Sequence, residues 1–344
     1  LYGRDGNSPT HQALCGKLAA LEGAEAALAL SSGMAAISLT LLAFTRAGDH
    51  VVSARDLYGP THKFMESELP RRGVEVTRVD ADDGAAWEAA LRPTTRLLYM
   101  EVPTNPTLRV PGLADPARLA AEGGLELMVD ATFATPVNLR VLEHGATLVV
   151  HSATKYMGGH SDLMAGVVAG SASRVAAVQR MLKLYGPSLD PQAAWLLDRG
   201  LRTLALRMER HNTLALQVAR WLEGQEGVVQ VLHPGLESHP DHERARSLLK
   251  GFGGVVSLVL AGGAPAADAF CGALRMARVA PSLGGVETLV SQPRFTSHRQ
   301  MDRRRREEAG IPDGFVRVSV GIEDLEDIQA DLARGLAAAA GRGT

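Results

Sequence analysis

Short β-branched runs alternate with Ala/Leu-rich stretches down the first two hundred residues, and no other feature of the chain restricts its fold as much. The pattern predicts strands at His50-Ser53, Val74-Val79, Arg96-Met100, Leu125-Val129, Thr147-Val150 and Met164-Ala169. Between them, Thr10-Leu21, Met34-Phe44, Pro60-Leu69, Ala85-Leu91 and Leu113-Ala121 repeat apolar residues at helical spacing. Alternation of this kind specifies the α/β class, with a largely parallel sheet covered by helices on both faces.

Helical pattern then continues from about Gln192 to Leu222 and leads into a second, smaller α/β layer. Strands are expected there at Gly227-Leu232, Gly254-Leu260 and Phe315-Val320, and helices at His242-Leu249, Ala264-Leu274 and Asp324-Ala339. A length of 344 residues with 46% hydrophobic and 22% charged content supports two cores, with a border near residue 205. The formal net charge of -2 leaves no global basic field, which argues against nucleic acid or an anionic membrane as partner. Arg303-Arg304-Arg305-Arg306 runs straight into Glu307-Glu308 and reads as a solvated helix face. Cys15 and Cys271 are too few for a disulfide framework and fit a reducing cytoplasm. His233, His239 and His242 lack metal-ligand spacing, so no metal is expected. No apolar run reaches bilayer length, and because the chain opens without Met inside what reads as a motif, further residues are expected ahead of Leu1.

Chemistry concentrates where an apolar strand empties into Val149-Val150-His151-Ser152-Ala153-Thr154-Lys155. Two hydroxyls and one of only five lysines arrive at a single spot. Hydroxyls can bind a phosphate and an amine can form an imine with an aldehyde; pyridoxal 5'-phosphate (PLP) presents both groups on one molecule. Asp130 ends the strand before Thr147-Val150, and ligands of open parallel sheets collect outside the carboxyl ends of strands. A carboxylate there can keep a pyridine nitrogen protonated, although a strand-end Asp is also an ordinary turn or cap residue.

Four further positions suit the same ligand, each with a plainer alternative. Ser31-Ser32-Gly33-Met34 opens an apolar helix whose backbone N–H groups can receive an anion; Ser-Ser-Gly is also a routine helix cap. Tyr58 can stack on a ring and exchange protons, or simply line a loop. Asn105 can hydrogen-bond a ring oxygen or a substrate carboxylate, although Asn-Pro is also a common turn pair. Arg317, the one charge in an alternating apolar strand, can grip an α-carboxylate, pair with a protein carboxylate, or face outward from an edge.

In order along the chain, Leu18-Ala19-Ala20-Leu21-Glu22-Gly23, Ser32-Gly33-Met34-Ala35-Ala36, Asp56-Leu57-Tyr58-Gly59, Pro103-Thr104-Asn105-Pro106-Thr107, Val129-Asp130-Ala131-Thr132, residues 151–162, Ser282-Leu283-Gly284-Gly285 and Arg317-Val318-Ser319-Val320-Gly321 form a set of blocks. Nearly the whole chain thereby resembles the PLP-dependent trans-sulfuration enzymes of cysteine and methionine metabolism. The family comprises cystathionine γ-synthase, cystathionine γ-lyase, methionine γ-lyase and O-acetylhomoserine sulfhydrylase. The resemblance implies a fold-type-I, aspartate-aminotransferase-like architecture: an amino-terminal arm over residues 1–11, a large PLP-binding domain over 12–205 and a small domain over 206–344. It also implies a cytoplasmic homotetramer, a dimer of dimers with active sites shared across each dimer.

Carried over position by position, the resemblance makes Lys155 the covalent anchor and proton shuttle, with Asp130 at the pyridine nitrogen. Ser152, Thr154 and the backbone at Gly33-Met34 hold the phosphate. Tyr58 stacks on the ring and takes part in catalysis, and Asn105 meets the ring oxygen. Tyr2 and Arg4 reach the phosphate of a neighbouring subunit, and Arg317 and the Ser282 segment place the substrate carboxylate. Lys63 stands where γ-lyases carry a substrate-binding Arg. Three features depart from the family pattern. The arm is one residue longer, with Ser8 ahead of Pro9-Thr10; Pro60 replaces the usual Gly or Cys; and Pro281 replaces a Glu common in cystathionine-processing members. The expected activity is γ-elimination or γ-replacement on sulfur-containing or O-acylated homoserine-type amino acids, with cystathionine γ-lyase or γ-synthase first. Methionine γ-lyase or O-acetylhomoserine sulfhydrylase is the alternative, and a non-catalytic PLP-binding homologue the remote one.

Overall fold

Seven strands, β1 (Ala26–Leu30), β2 (His50–Ala54), β3 (Glu75–Val79), β4 (Thr95–Glu101), β5 (Glu126–Asp130), β6 (Leu148–Ser152) and β7 (Gly166–Gly170), form the first sheet of the computed structural model, which describes residues 2–299 and 301–341. Their order is β1-β7-β6-β5-β4-β2-β3. The β3-β2-β4-β5-β6 block is parallel, and β7 runs antiparallel to both of its neighbours. The central strands are buried along almost their whole length, as in Leu97-Leu98-Tyr99-Met100 and Leu127-Met128-Val129. Near-continuous apolar runs of this kind belong to strands covered on both faces.

Residues sort into two compact units, Leu1–Thr104 with Pro111–Leu204, and Asn105–Val110 with Ala205–Thr344. The helical pattern from Gln192 to Leu222 resolves into two helices, Pro191–Leu201 and Leu204–Glu223. Between them the backbone tightens, with Arg202 N–H donating to Arg199 O and Thr203 N–H to Gly200 O, the i to i-3 bonding that closes a helix.

In the second unit, strands β8 (Val228–Leu232), β9 (Val255–Leu260), β10 (Arg278–Val279), β11 (Leu289–Ser291) and β12 (Phe315–Ser319) lie in the order β10-β11-β12-β9-β8. Helices Gly263–Ala273 and Leu325–Ala339 pack against each other, and Phe270, Ile328 and Leu332 join Val256 and Val318 in the core. Arg303–Glu308 is a short helix with Arg303-Glu307 and Arg304-Glu308 pairs on its exposed face, so Arg303, Arg304 and Arg305 form a solvated surface, whereas Arg306 turns inward to Asp313 at 2.7 Å.

The first helix, α1 (Pro9–Glu22), begins inside the stretch expected to be an arm. Ser8, the residue that lengthens this segment, is its N-cap: Ser8 Oγ accepts from His11 N–H at 3.4 Å and lies 2.6 Å from His11 Nδ1. Ahead of it, Gly3–Asp5 forms a single 3-10 turn. Several elements escaped the periodicity analysis, among them three in or beside the two sheets. β1 reads Ala-Ala-Leu-Ala-Leu and carries no β-branched residue. The helix Ala172–Tyr185 follows β7 after one residue, and β11 is only three residues long.

Candidate active site

Parallel strands β4, β5 and β6 end on one edge of the first sheet in Glu101, Asp130 and Ser152, so three adjacent strands deliver polar side chains to the same rim. Past Ser152 the chain turns, with Lys155 N–H donating to Ser152 O at 3.1 Å and Gly159 N–H to Lys155 O at 2.8 Å. Thr154 braces this turn: its Oγ1 accepts from Ala165 N–H at 3.0 Å and donates to Ala165 O at 3.2 Å. Lys155 is therefore carried on a backbone tied down on both sides rather than on a loose loop.

The helix α2 (Gly33–Phe44) starts at this rim. Ser32 caps it by accepting from Ala35 N–H at 3.1 Å, and the amides of Gly33 and Met34, like those of any first helical turn, find no acceptor within the helix. Two glycines allow the helix to reach the strands. A Cβ on Gly33 would lie 2.8 Å from Ser152 Cβ and 2.9 Å from its Cα, and a Cβ on Gly166 of β7 would lie 2.0 Å from Ser32 O. The positive end of a helix is thus pressed onto the Ser152 hydroxyl, an arrangement that receives phosphate oxygens.

Asp130 is 8% exposed and its Oδ1 accepts from Thr132 N–H at 2.9 Å. Thr132 Oγ1 in turn accepts from Ser152 N–H at 2.8 Å, linking the carboxylate's turn to the hydroxyl rim. Burial raises the Asp130 carboxyl above the ordinary range, while hydrogen bonds from Thr132 and the charge of His151 oppose the rise. Glu101, its register partner on β4, is pushed well above the ordinary range, first by burial and then by Asp130. Of the two neighbouring carboxyls, Glu101 is thus the more strongly biased toward its protonated form. Glu101 Oε1 also accepts from Tyr58 N–H at 2.6 Å, which fixes the loop carrying the Tyr58 ring, itself 40% exposed.

Beneath the rim, His151 Nε2 approaches Glu22 Oε1 to 2.6 Å in full burial. Lys63 lies exposed on the last turn of the short helix Gly59–Lys63, which Pro60 opens. Tyr2 and Arg4 are both exposed on the first unit, with the Arg4 guanidinium 5.5 Å from the Tyr2 ring centroid and Arg4 O receiving the Ser188 hydroxyl.

Within the second unit, Arg317 lies on β12, paired on one side with β11 and on the other with β9, and is 4% exposed. An edge position is excluded by that pairing. Its Nη1 donates to Asn105 Oδ1 at 2.9 Å, and its Nη2 donates to Ser282 O at 2.8 Å and Pro281 O at 3.3 Å. The structure therefore brings together Arg317, Asn105 and the Ser282 segment, the latter through its backbone. Burial lowers His233 and His239 to about 4, so both are neutral core histidines.

Glu101 and Thr132 were missed from the sequence. Glu101 ends an apolar strand just as Asp130 does, which was the available signal; Thr132 offered none, because its bridging role depends on the β5-β6 neighbourhood.

PLP fits these residues. A lysine on a braced turn, a helix start pressed against a serine, a buried carboxyl held by Thr132 and an exposed ring on a fixed loop answer in turn to its aldehyde, phosphate, pyridine nitrogen and ring face. Fold and site together define a PLP-dependent enzyme of the fold-type-I, α/β kind.

Comparison with known proteins agrees. The model of the Cys/Met metabolism PLP-dependent enzymes matches residues 1–337, and the chain belongs to that family. It is 43% identical over 338 residues to cystathionine gamma-synthase 1, chloroplastic, of Arabidopsis thaliana, covering 98% of this chain and 60% of the relative. It is also 43% identical over 338 residues to the O-succinylhomoserine sulfhydrylase of Pseudomonas aeruginosa, covering 98% of this chain and 84% of that one. The crystal structure of cystathionine gamma-lyase from Lactobacillus plantarum complexed with L-serine superposes with a TM-score of 0.93 at 36% identity, covering 98% of this chain and 88% of that chain. Among the described residues no helix is long and apolar enough to cross a membrane.

Proposed function

We propose that the chain catalyses γ-elimination or γ-replacement on sulfur-containing or O-acylated homoserine-type amino acids, as a cystathionine γ-lyase or cystathionine γ-synthase. The observation that carries this reading is the rim itself, where Lys155 follows Ser152 on a braced turn with α2 and Asp130 held beside it. Bound PLP supplies the electron sink for charge left at the substrate's α-carbon. Lys155 Nζ, as a neutral amine, takes the α-proton and then serves as acid and base at the β-carbon, so that the γ-substituent can leave. Asp130 would hold a proton on the pyridine nitrogen by its charge, and Thr132 orients that carboxyl and opposes the rise that burial imposes on it. Ser152, Thr154 and the amides of Gly33 and Met34 bind the phosphate, and the Tyr58 ring lies along the cofactor.

Arg317, aimed by Asn105 and the Ser282 carbonyl, takes the substrate carboxylate, and Lys63 reaches the distal end of the substrate. The enzyme works in the cytoplasm as a homotetramer, and the exposed Tyr2 and Arg4 complete the phosphate site of a neighbouring subunit. Methionine γ-lyase or O-acetylhomoserine sulfhydrylase activity is the second reading. It is favoured by Pro281, which replaces a Glu common in cystathionine-processing members, and by the equal identity to a sulfhydrylase.

A substrate panel decides among these. Cystathionine, methionine, O-acetylhomoserine and O-succinylhomoserine are incubated with the PLP-loaded protein, with and without cysteine, and thiol, ammonia and 2-oxobutanoate are measured. Release of 2-oxobutanoate and cysteine from cystathionine supports the lyase; formation of cystathionine only when cysteine is present supports the synthase. Turnover of none of the four would overturn the proposal.

A further inference from the structure

The segment Asn105–Val110 belongs to the second unit, and three contacts within that unit hold it. At its start, Asn105 Oδ1 accepts from Arg317 Nη1 at 2.9 Å. One residue on, Pro106 O accepts from the Ser257 hydroxyl at 2.7 Å, and Ser257 is the register partner of Arg317 on β9. At its end stands Asp241, which is 2% exposed. Asp241 Oδ2 accepts from Arg109 Nε at 2.5 Å and Val110 N–H at 3.0 Å; its Oδ1 accepts from Arg109 Nη2 and Arg244 Nη2, both at 3.1 Å.

Four donors on one buried carboxylate, two of them from a single planar guanidinium, fix orientation as well as distance. The Asn105 amide has the opposite character: its carbonyl is aimed by the hydrogen bond from Arg317, and a five-residue lever of backbone connects it to Asp241. Releasing the far end of that lever leaves the segment held only near its start, by Arg317 and by the Ser257 hydroxyl on Pro106 O, and loosens the aim of the amide. The guanidinium would then lose one of its guides, while the carbonyls of Pro281 and Ser282 remain.

We propose that Asp241 is a positioning residue for the substrate carboxylate, acting through Arg109, Val110 and Asn105 on Arg317. The inference rests on the reading that Arg317 binds that carboxylate.

The test uses the PLP-loaded enzyme. Asp241→Asn removes the charge and turns an amide N–H toward the arginines. We expect KM for the preferred amino acid to rise about tenfold with kcat within about twofold, the pattern of lost uniform binding. The dissociation constant of L-norleucine, which carries no leaving group, should weaken by the same factor in calorimetry, with cofactor content unchanged. Arg109→Ala attacks the same clamp from the other side and should reproduce the split if Asp241→Asn fails to fold. In an Arg317→Ala background, either change should have no further effect on norleucine binding, because coupled residues are not additive.

A lowered melting temperature with KM and norleucine affinity unchanged would make Asp241 merely structural and overturn the inference. If Arg317→Ala itself leaves norleucine binding intact, the carboxylate reading fails instead, and the two failures are thereby told apart.

Discussion

Gly33 and Ser152 lie so close that a Cβ on the glycine would come within 2.8 Å of the serine Cβ and 2.9 Å of its Cα, so the start of α2 and the end of β6 can meet only because residue 33 has no side chain. The contact joins a helix N-terminus to the strand that carries Lys155, two parts of the chain separated by more than a hundred residues. Gly33→Ala is expected to push α2 off the rim. Overpacking of this sort costs about 1–3 kcal/mol. We expect most of it to be read as weaker PLP binding, by roughly 10-fold or more in an absorbance titration. The alanine is otherwise an acceptable helix residue, so a Gly33→Ala protein that binds PLP as tightly as the parent would show that the amides of α2 do not hold the phosphate.

Lys155→Ala should abolish the visible absorbance of the loaded protein and lower turnover by at least about 10³-fold, since one group provides both the covalent attachment and the proton transfers. Borohydride reduction of the parent should fix the cofactor to a peptide containing Lys155. Retention of full turnover by Lys155→Ala would end the assignment.

Glu101 yields a pH prediction for the cofactor-free protein. Its folded-state pKa is raised by burial and by Asp130, so the fold prefers the protonated acid. The stabilisation is complete below the unfolded carboxyl's ordinary value, about 4.5, and declines as pH rises toward the folded value. Glu101→Gln keeps an acceptor for Tyr58 N–H and cannot ionise. Urea midpoints of the variant should therefore decline less than the parent's between pH 5 and pH 8; parallel profiles would refute the protonated state.

His211 and His233 act at the acid end. Burial lowers both to about 4, and His211 Nδ1 lies 2.8 Å from Val320 O, which suits the neutral ring as donor. A depressed histidine contributes stability that is present above the unfolded value of 6.5 and is lost as pH falls through about 4. The parent should thus lose stability between pH 6.5 and pH 4, by about 1.4 kcal/mol per pH unit for each such group at most. His211→Gln, which retains a donor for Val320 O, should flatten that slope in urea titrations at stepped pH.

Sequence patterning exposed most of the strands because parallel strands buried on both faces must be apolar along their length, as at β4, β5 and β6. It missed β1, where Ala-Ala-Leu-Ala-Leu carries no preference for a strand and pairing with β7 decides the matter. It also joined Pro191–Leu201 to Leu204–Glu223, since nothing in Arg202-Thr203 forbids a helix and the break shows only in the backbone bonding there.

The site shows the same division. Lys155, Asp130, Ser152 and Arg317 were legible because each is a polar or charged group at the end of, or within, an apolar strand, a placement that costs free energy unless a partner compensates it. That much is local and one-dimensional, and the sequence alone determined it along with the α/β class. Which neighbours compensate those groups was decided by the tertiary structure: Glu101 beside Asp130, Thr132 between Asp130 and Ser152, Gly33 against Ser152, and Asp241 behind Asn105. Carboxyl coupling, close approach and clamping depend on distances between residues far apart in the chain, and such distances exist only after the strands have chosen their order.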